Sequence, residues 1–311
     1  MLSFEVTYND KSVSDLKNVI SAELDREIGV PADSLRLVCE FDPRLREADR
    51  IRALSGDSVV FEGQLDEIIT EQKIGCAIMR LNLRHIAAGL LDNEAEPVMY
   101  VNPSAEMIFT RHLKPFGVKE YHADKPALLG TLRIVKGTTH WQVFENYCRN
   151  AFGEPPGIDS SGVAWFGGFK KPQTVNFGGD GICYYSLKEK IERCRVISAV
   201  RIKLSDSARY TGLIENKSKA AENITRVRLV DAVAERSNIQ TADKIIAAGN
   251  RAAHSIELRC VGCRTELLGC GAQIDDKLLG SQKKLTVCKL KYLFDSKGER
   301  THLLLRAESS E

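Results

Sequence analysis

The chain has 311 residues, 43% hydrophobic and 28% charged, with a net charge of +2. That length and balance suit two or three folded domains and exclude a disordered, collagen-like or coiled-coil chain. No stretch approaches the roughly 20 apolar residues of a membrane helix. The start, Met1-Leu2-Ser3-Phe4-Glu5, has no basic region leading into an apolar core. The chain is therefore expected to fold in the cytoplasm with its nine cysteines reduced.

The first section reads as β. Phe4–Tyr8 alternates through Phe4, Val6 and Tyr8, and Ser34–Phe41 through Leu35, Leu37 and Cys39. Ser58–Ile69 is a longer strand with Val59, Phe61 and Leu65 on one face and Gly63 expected as a bulge or bend. Ile74–Arg84 answers it, with Ala77, Met79, Leu81 and Leu83 on one side. Ile86–Leu91 reads as a short helix ending at Asp92-Asn93. Asn102-Pro103 then starts a helix carrying Ala105, Ile108, Phe109 and Leu113. Thr139 and Gln142 have the capping-box spacing, ahead of an apolar stripe of Trp141, Phe144, Cys148 and Phe152. Short strands follow at Val163–Phe169 and Thr174–Phe177.

From about residue 191 the pattern is β again. Arg195–Leu204 and Arg209–Asn216 read as paired strands, Lys217–Asn223 as a polar loop and Ile224–Val230 as a strand. Thr241–His254 reads as a helix capped by Thr241, with Ile245, Ala248 and Ala252 inward and Gly249 as a weak point. Ser255–Cys260 alternates, and Lys284–Phe294 with Thr301–Arg306 forms a hairpin around Asp295–Gly298. The expected architecture is mainly β with α+β character: two tube-like β-barrel domains flanking a mixed α/β insert. The boundaries are 1–92, 93–190 and 191–311.

Charge is unevenly spread. The first 100 residues carry 19 acidic and 11 basic side chains, and the other 211 carry 23 and 33. Solvated faces, nucleic-acid binding, or acidic and basic surfaces that meet in neighbouring subunits all fit this asymmetry. The basic residues are scattered along many segments, which speaks against nucleic acid.

Motifs for chemistry are weak. Cys260, Cys263, Cys270 and Cys288 suffice in number for a tetrahedral zinc site, but Cys270 and Cys288 are 18 positions apart, and core thiols are the simpler reading. Six histidines, His85, His112, His122, His140, His254 and His302, fall in no nucleophile motif, although Cys148 and His112 could meet by folding. Glu145 and Asp159 are candidate paired carboxylates for wall hydrolysis, among many carboxylates. Gly167-Gly168 and Gly178-Gly179-Asp180-Gly181 lack a following Lys-Ser/Thr helix and read as turns. No catalytic, cofactor-binding or metal-binding residue is assigned, and no cofactor is expected.

Three stretches together resemble a known family. They are Gly56-Asp57-Ser58-Val59-Val60-Phe61-Glu62-Gly63-Gln64-Leu65-Asp66-Glu67, then Leu90-Leu91-Asp92-Asn93-Glu94-Ala95-Glu96-Pro97 followed by Tyr100 and Pro115-Phe116-Gly117, and last Val287–Leu305 with Asp295-x-x-Gly298-Glu299-x-Thr301. In order and spacing they are similar to the central hub family of contractile-phage tail baseplates, which includes PBSX-like prophage and late control protein D-like hubs. The cysteine-rich stretch 260–270 lies outside that pattern.

The resemblance implies a non-enzymatic virion protein located in the tail baseplate. It implies a homotrimer whose six similar modules form a pseudo-hexameric ring between a hexameric tail tube and a trimeric spike, with other baseplate or LysM-type hub proteins nearby. DNA would pass through the lumen without being bound, and no membrane is involved. A peptidoglycan-binding or peptidoglycan-degrading tail-tip enzyme is one alternative; the hub of a tailocin or contractile injection machine is another. Lys217–Asn223 and Asp295–Gly298 are expected to be exposed and available to neighbours.

Overall fold

The computed structural model describes residues 2–31, 33–124, 128–169, 171–203, 209–230 and 238–308. Two compact units emerge. The first comprises Met1–Pro172, Arg259–Cys270 and Cys288–Leu303, and the second Gln173–Leu258, Gly271–Val287 and Leu304–Glu311.

The first unit opens with seven strands: β1 (Ser3–Tyr8), β2 (Val13–Asp15), β3 (Val19–Glu27), β4 (Ser34–Glu40), β5 (Ala48–Ser55), β6 (Ser58–Lys73) and β7 (Cys76–His85). They pair antiparallel in the order β3-β4-β7-β6-β5-β1-β2. Period-two alternation puts one row of each strand inward: Phe4, Val6 and Tyr8; Leu35, Leu37 and Cys39; Met79, Leu81 and Leu83. The expected strands are there, and three unexpected ones, β2, β3 and β5, join them. In β3 the inward row is Ala22, Leu24 and Arg26, so a buried arginine interrupts the apolar pattern. Asp33 accepts from Arg26 Nε at 2.7 Å, with both side chains buried, which satisfies the charge. β5 buries only Ile51 and Ala53, too few to read as a strand.

Gly63 is not the bulge. It stays in register opposite Ile51 and His85, and the ladder shifts instead between Leu65 and Glu67. A Cβ at residue 63 would run into the Phe61 ring and the Arg84 carbonyl. The glycine lets that ring lie across the strand.

A helical layer follows. Residues 86–88 make a 3₁₀ turn into α1 (Gly89–Asp92), and β8 (Val98–Val101) leads to α2 (Ala105–Ile108). The cap of α2 is Ser104, whose Oγ accepts from Met107 N, rather than a proline at the first turn. α2 runs on as a π-helix over Phe109–Leu113. After β9 (Glu120–Ala123) and β10 (Thr131–Ile134) comes α3 (His140–Ala151), started by the reciprocal Thr139–Gln142 capping box. α3 buries Trp141, Phe144, Tyr147 and Cys148 against Ile108, Leu113 and Phe166. β11 (Gly157–Ile158) and β12 (Val163–Phe166) close this part, β12 running parallel to β9.

The second unit contains β13 (Thr174–Phe177), β14 (Ser186–Ile191), β15 (Ala199–Ile202), β16 (Gly212–Glu215), β17 (Val227–Val230) and α4 (Asn238–Ala253). Next come β18 (His254–Val261), β19 (Gly271–Asp276), β20 (Gly280–Asp295) and β21 (Gly298–Ala307), the 18, 20 and 21 strands each giving one end to each unit. Here the ladder runs β14-β18-β21-β20-β19-β13, with β13 parallel to β19. A separate three-stranded sheet, β16-β15-β17, packs one face on α4. The expected pairing of β15 with β16 is antiparallel, and Leu204 lies outside the described residues.

The inward face of α4 is Ala242, Ile246, Gly249 and Ala253; of the expected stripe Ile245 packs beside it, whereas Ala248 is exposed. The helix starts at Asn238, so Thr241 sits inside it rather than at its cap position. A Cβ on Gly249 would meet the Arg195 carbonyl at 3.1 Å and Ile197 at 3.4 Å. The residue that weakens the helix therefore admits its closest neighbour.

In the first unit the far ends of β18, β21 and β20 extend the ladder from β3, Lys289–Phe294 pairing with Ala22–Glu27. The chain is mainly β with few helices, as expected, and its sheets are largely antiparallel. No ladder closes β2 onto the opposite edge, so no closed barrel forms among the described residues.

Candidate assembly surfaces

The outward face of the first unit's sheet is built from charges. Glu23 on β3 sits 3.0 Å from Arg36 on β4 and 2.8 Å from Lys291 on β20; Lys289 reaches Asp25 at 3.0 Å and Glu27 at 3.3 Å. Arg80 pairs with Glu71 at 2.7 Å, and Arg84 bridges Asp66 and Asp92, which holds the Asp92 carboxyl below its ordinary range. Opposite charges across adjacent strands support pairing and neutralise one another. This face is solvated.

The two-stranded ribbon of β8 and β10 is different. Its inner row, Tyr100, Leu132 and Ile134, is buried in the helical core. Its outer row exposes Met99 and Val101, and Leu129 and Val135 flank it, also exposed. A similar open face lies on the small sheet of the second unit. There Leu213 and Leu229 stand on either side of Arg201 in one cross-strand row, 51% and 60% exposed. Open apolar rows of this kind mark contact with other macromolecules. Ile74, at the tip of the β6–β7 hairpin, and Leu278, between β19 and β20, are also fully out in solvent.

The two segments expected to be exposed are largely so. In Lys217–Asn223 only Ala221 is buried, packed on Val196 and Ala253 by a 3₁₀ turn. Asn216 pins the loop by accepting from Ser218 N at 3.0 Å and donating to the Ile197 carbonyl at 2.8 Å. At the β20–β21 turn, Ser296 and Lys297 are exposed, while Asp295 accepts from Lys297 N at 2.8 Å and pairs with Arg300 at 2.8 Å. That arginine, with the turn hydrogen bond, pulls the Asp295 carboxyl down to about 2.

The residues weighed for chemistry are engaged elsewhere. Asp159 accepts from Ser161 N, Ser161 Oγ, Val163 N and Trp165 Nε1, and Glu145 pairs with Arg149 at 2.7 Å. Both are structural carboxylates. Cys148 is buried and burial pushes its thiol up; His112 turns to Tyr100 and His140 instead. Cys260 and Cys270 are buried and Cys263 and Cys288 half-buried; the Cys263 Sγ lies 3.6 Å from Thr265 Oγ1 and the Cys270 Sγ 3.7 Å from the Glu266 carbonyl. Among the described residues no group of three His, Cys, Asp or Glu could hold a metal ion. Gly178–Gly181 forms a tight turn closed by Gly181 N donating to the Gly178 carbonyl.

No family model matches the sequence, and no curated protein matches it. In fold, however, the chain is similar to solved tail proteins. It is similar to the tail protein from Neisseria meningitidis MC58, with a TM-score of 0.78 at 16% identity over 98% of this chain and 96% of that one. The 43 kDa tail protein of prophage MuSo2 from Shewanella oneidensis gives 0.78 at 12% identity over 99% and 98%. An E. coli component of the type VI secretion system, itself structurally similar to the T4 tail proteins gp27 and gp5, gives 0.57 at 8% over 94% and 74%.

Proposed function

We propose that this chain is a structural protein of a phage-type tail, and within it the central hub of the baseplate. One observation carries the reading: the fold matches two tail proteins over at least 96% of every chain compared. A full-length match means that the fold of the whole chain is shared, not one borrowed domain. The surface agrees, since the described residues offer open apolar faces and sheet edges.

In this role three copies, each with a β module on either side of the α/β insert, form a ring of six similar modules. A sixfold tube stacks on one side and a threefold spike docks on the other. The function is assembly without catalysis. The likeness to a type VI secretion component favours a second setting, a contractile injection machine, in which the same ring would serve.

The test is genetic and structural. Deleting the gene is expected to leave tails without baseplates, and antibody against the chain should label one end of wild-type tails. Normal, infectious tails from the deletion strain would refute the proposal.

A further inference from the structure

Residues 193–230 carry nine basic and three acidic side chains, the reverse of the acidic first hundred residues. The described residues of this stretch include β15, β16 and β17. One face of this sheet is complete: Val200, Ile202, Ile214 and Val230 pack on Ala242, Ile245 and Ile246 of α4. The other face is open. Leu213, Arg201 and Leu229 form its central row, and Val227 lies beside them, 44% exposed. Arg201, Arg209, Tyr210, Leu213 and Leu229 line a shallow concavity of about 710 Å³ over this row. β16 and β17 pair only with β15 among the described residues.

A sheet with one sealed face and one open face, on which Arg201 stands between two exposed leucines, suits a partner that offers both apolar and acidic side chains. The chain itself supplies such a partner. Its first hundred residues carry an excess of eight acidic side chains and expose Ile20, Phe41, Ile69 and Ile74. We infer that the open face of the β16-β15-β17 sheet docks the acidic N-terminal region of a second copy of this chain. The contact joins two different surfaces, so it runs head to tail and closes into a ring when the rotation permits. This rests on the hub reading and adds to it the surface through which copies join.

The experiment uses the purified full-length chain, followed by mass photometry and sedimentation across concentration. At about 50 mM salt, where charges a Debye length apart still interact, assemblies larger than the 34.6 kDa monomer are expected, and high salt should weaken them. Arg201→Glu and Leu229→Glu should each raise the midpoint concentration of assembly by about tenfold or more. Lys283→Glu, at an exposed position of β20 outside the surfaces named for contact, should leave it unchanged. Circular dichroism confirms that each variant is folded; both altered side chains are exposed, so folding should survive. Unchanged assembly in both face variants would overturn the docking face while leaving the hub reading intact. A wild-type chain that stays monomeric to about 100 μM, or equal loss in the Lys283→Glu control, would overturn it as well. Absence of the chain from tail ends would refute the hub and leave a face-dependent association standing.

Discussion

His112 Nδ1 lies 3.0 Å from His140 Nδ1. One ring must donate and the other accept, so the contact tolerates at most one proton between these two nitrogens. The π-helix brings His112 into position, and Tyr100 Oη holds its Nε2 at 3.1 Å. His140 rests on Phe116 and sits at the first turn of α3. The pair thus ties strand, π-helix and α3 together.

The pair makes stability depend on pH. Burial, then His140 and Arg111, lowers the His112 pKa to about 4, and burial also lowers His140. The unfolded imidazole takes its proton near pH 6.5, which the folded one refuses until about pH 4. The stabilisation is complete above about pH 6.5 and is lost as pH falls through the folded value. Water at the half-exposed His140 ring screens the effect, leaving about 2 kcal/mol. Urea melts between pH 7 and 4 should show this slope, and His112→Gln should flatten it. Equal slopes in both proteins would count against the assignment.

The Arg26–Asp33 pair should behave as a buried unit. Asp33→Ala strands a buried guanidinium and should cost about 3–5 kcal/mol. Arg26→Met with Asp33→Leu should recover most of that loss in denaturant melts. A double variant as weak as the single one would show that the charges themselves are needed.

Gly63→Ala places a methyl group against the Phe61 ring and the Arg84 carbonyl. The expected loss is about 2 kcal/mol, and Phe61→Leu should offset part of it because the two changes share one space. Strict additivity in thermal melts would contradict the contact.

At the start of α3, Thr139→Ala removes the acceptor for Gln142 N, and Thr139 N keeps only the Gln142 side chain. The cost should be about 1 kcal/mol, with Thr139→Ser close to wild type. A wild-type melting curve for the alanine variant would remove the cap from the account.

Much of the fold can be read where alternation is clean. Phe4–Tyr8, Ser34–Glu40, Cys76–His85 and the β20–β21 hairpin carry inward rows of large apolar side chains. β3 escaped because Arg26 occupies an inward position and its partner Asp33 lies beyond the strand. The α4 face was legible only in part because Thr241 resembles a cap and Gly249 resembles a flaw, whereas tertiary contact with Arg195 and Ile197 selects glycine there. The candidate surfaces were less legible. Leu213 and Leu229 alternate like core residues, and only the three-stranded topology, with α4 on one side, shows which of them remain uncovered. The charge asymmetry and the idea of surfaces that meet between subunits were visible from the start, but a particular face for the basic side needed that open sheet.

Electron cryomicroscopy of isolated tails bears most directly on the hub itself. Three copies of this chain should appear as a ring at the junction of tube and spike. A tail in which that junction is occupied by another protein, with this chain elsewhere or missing, would contradict the account.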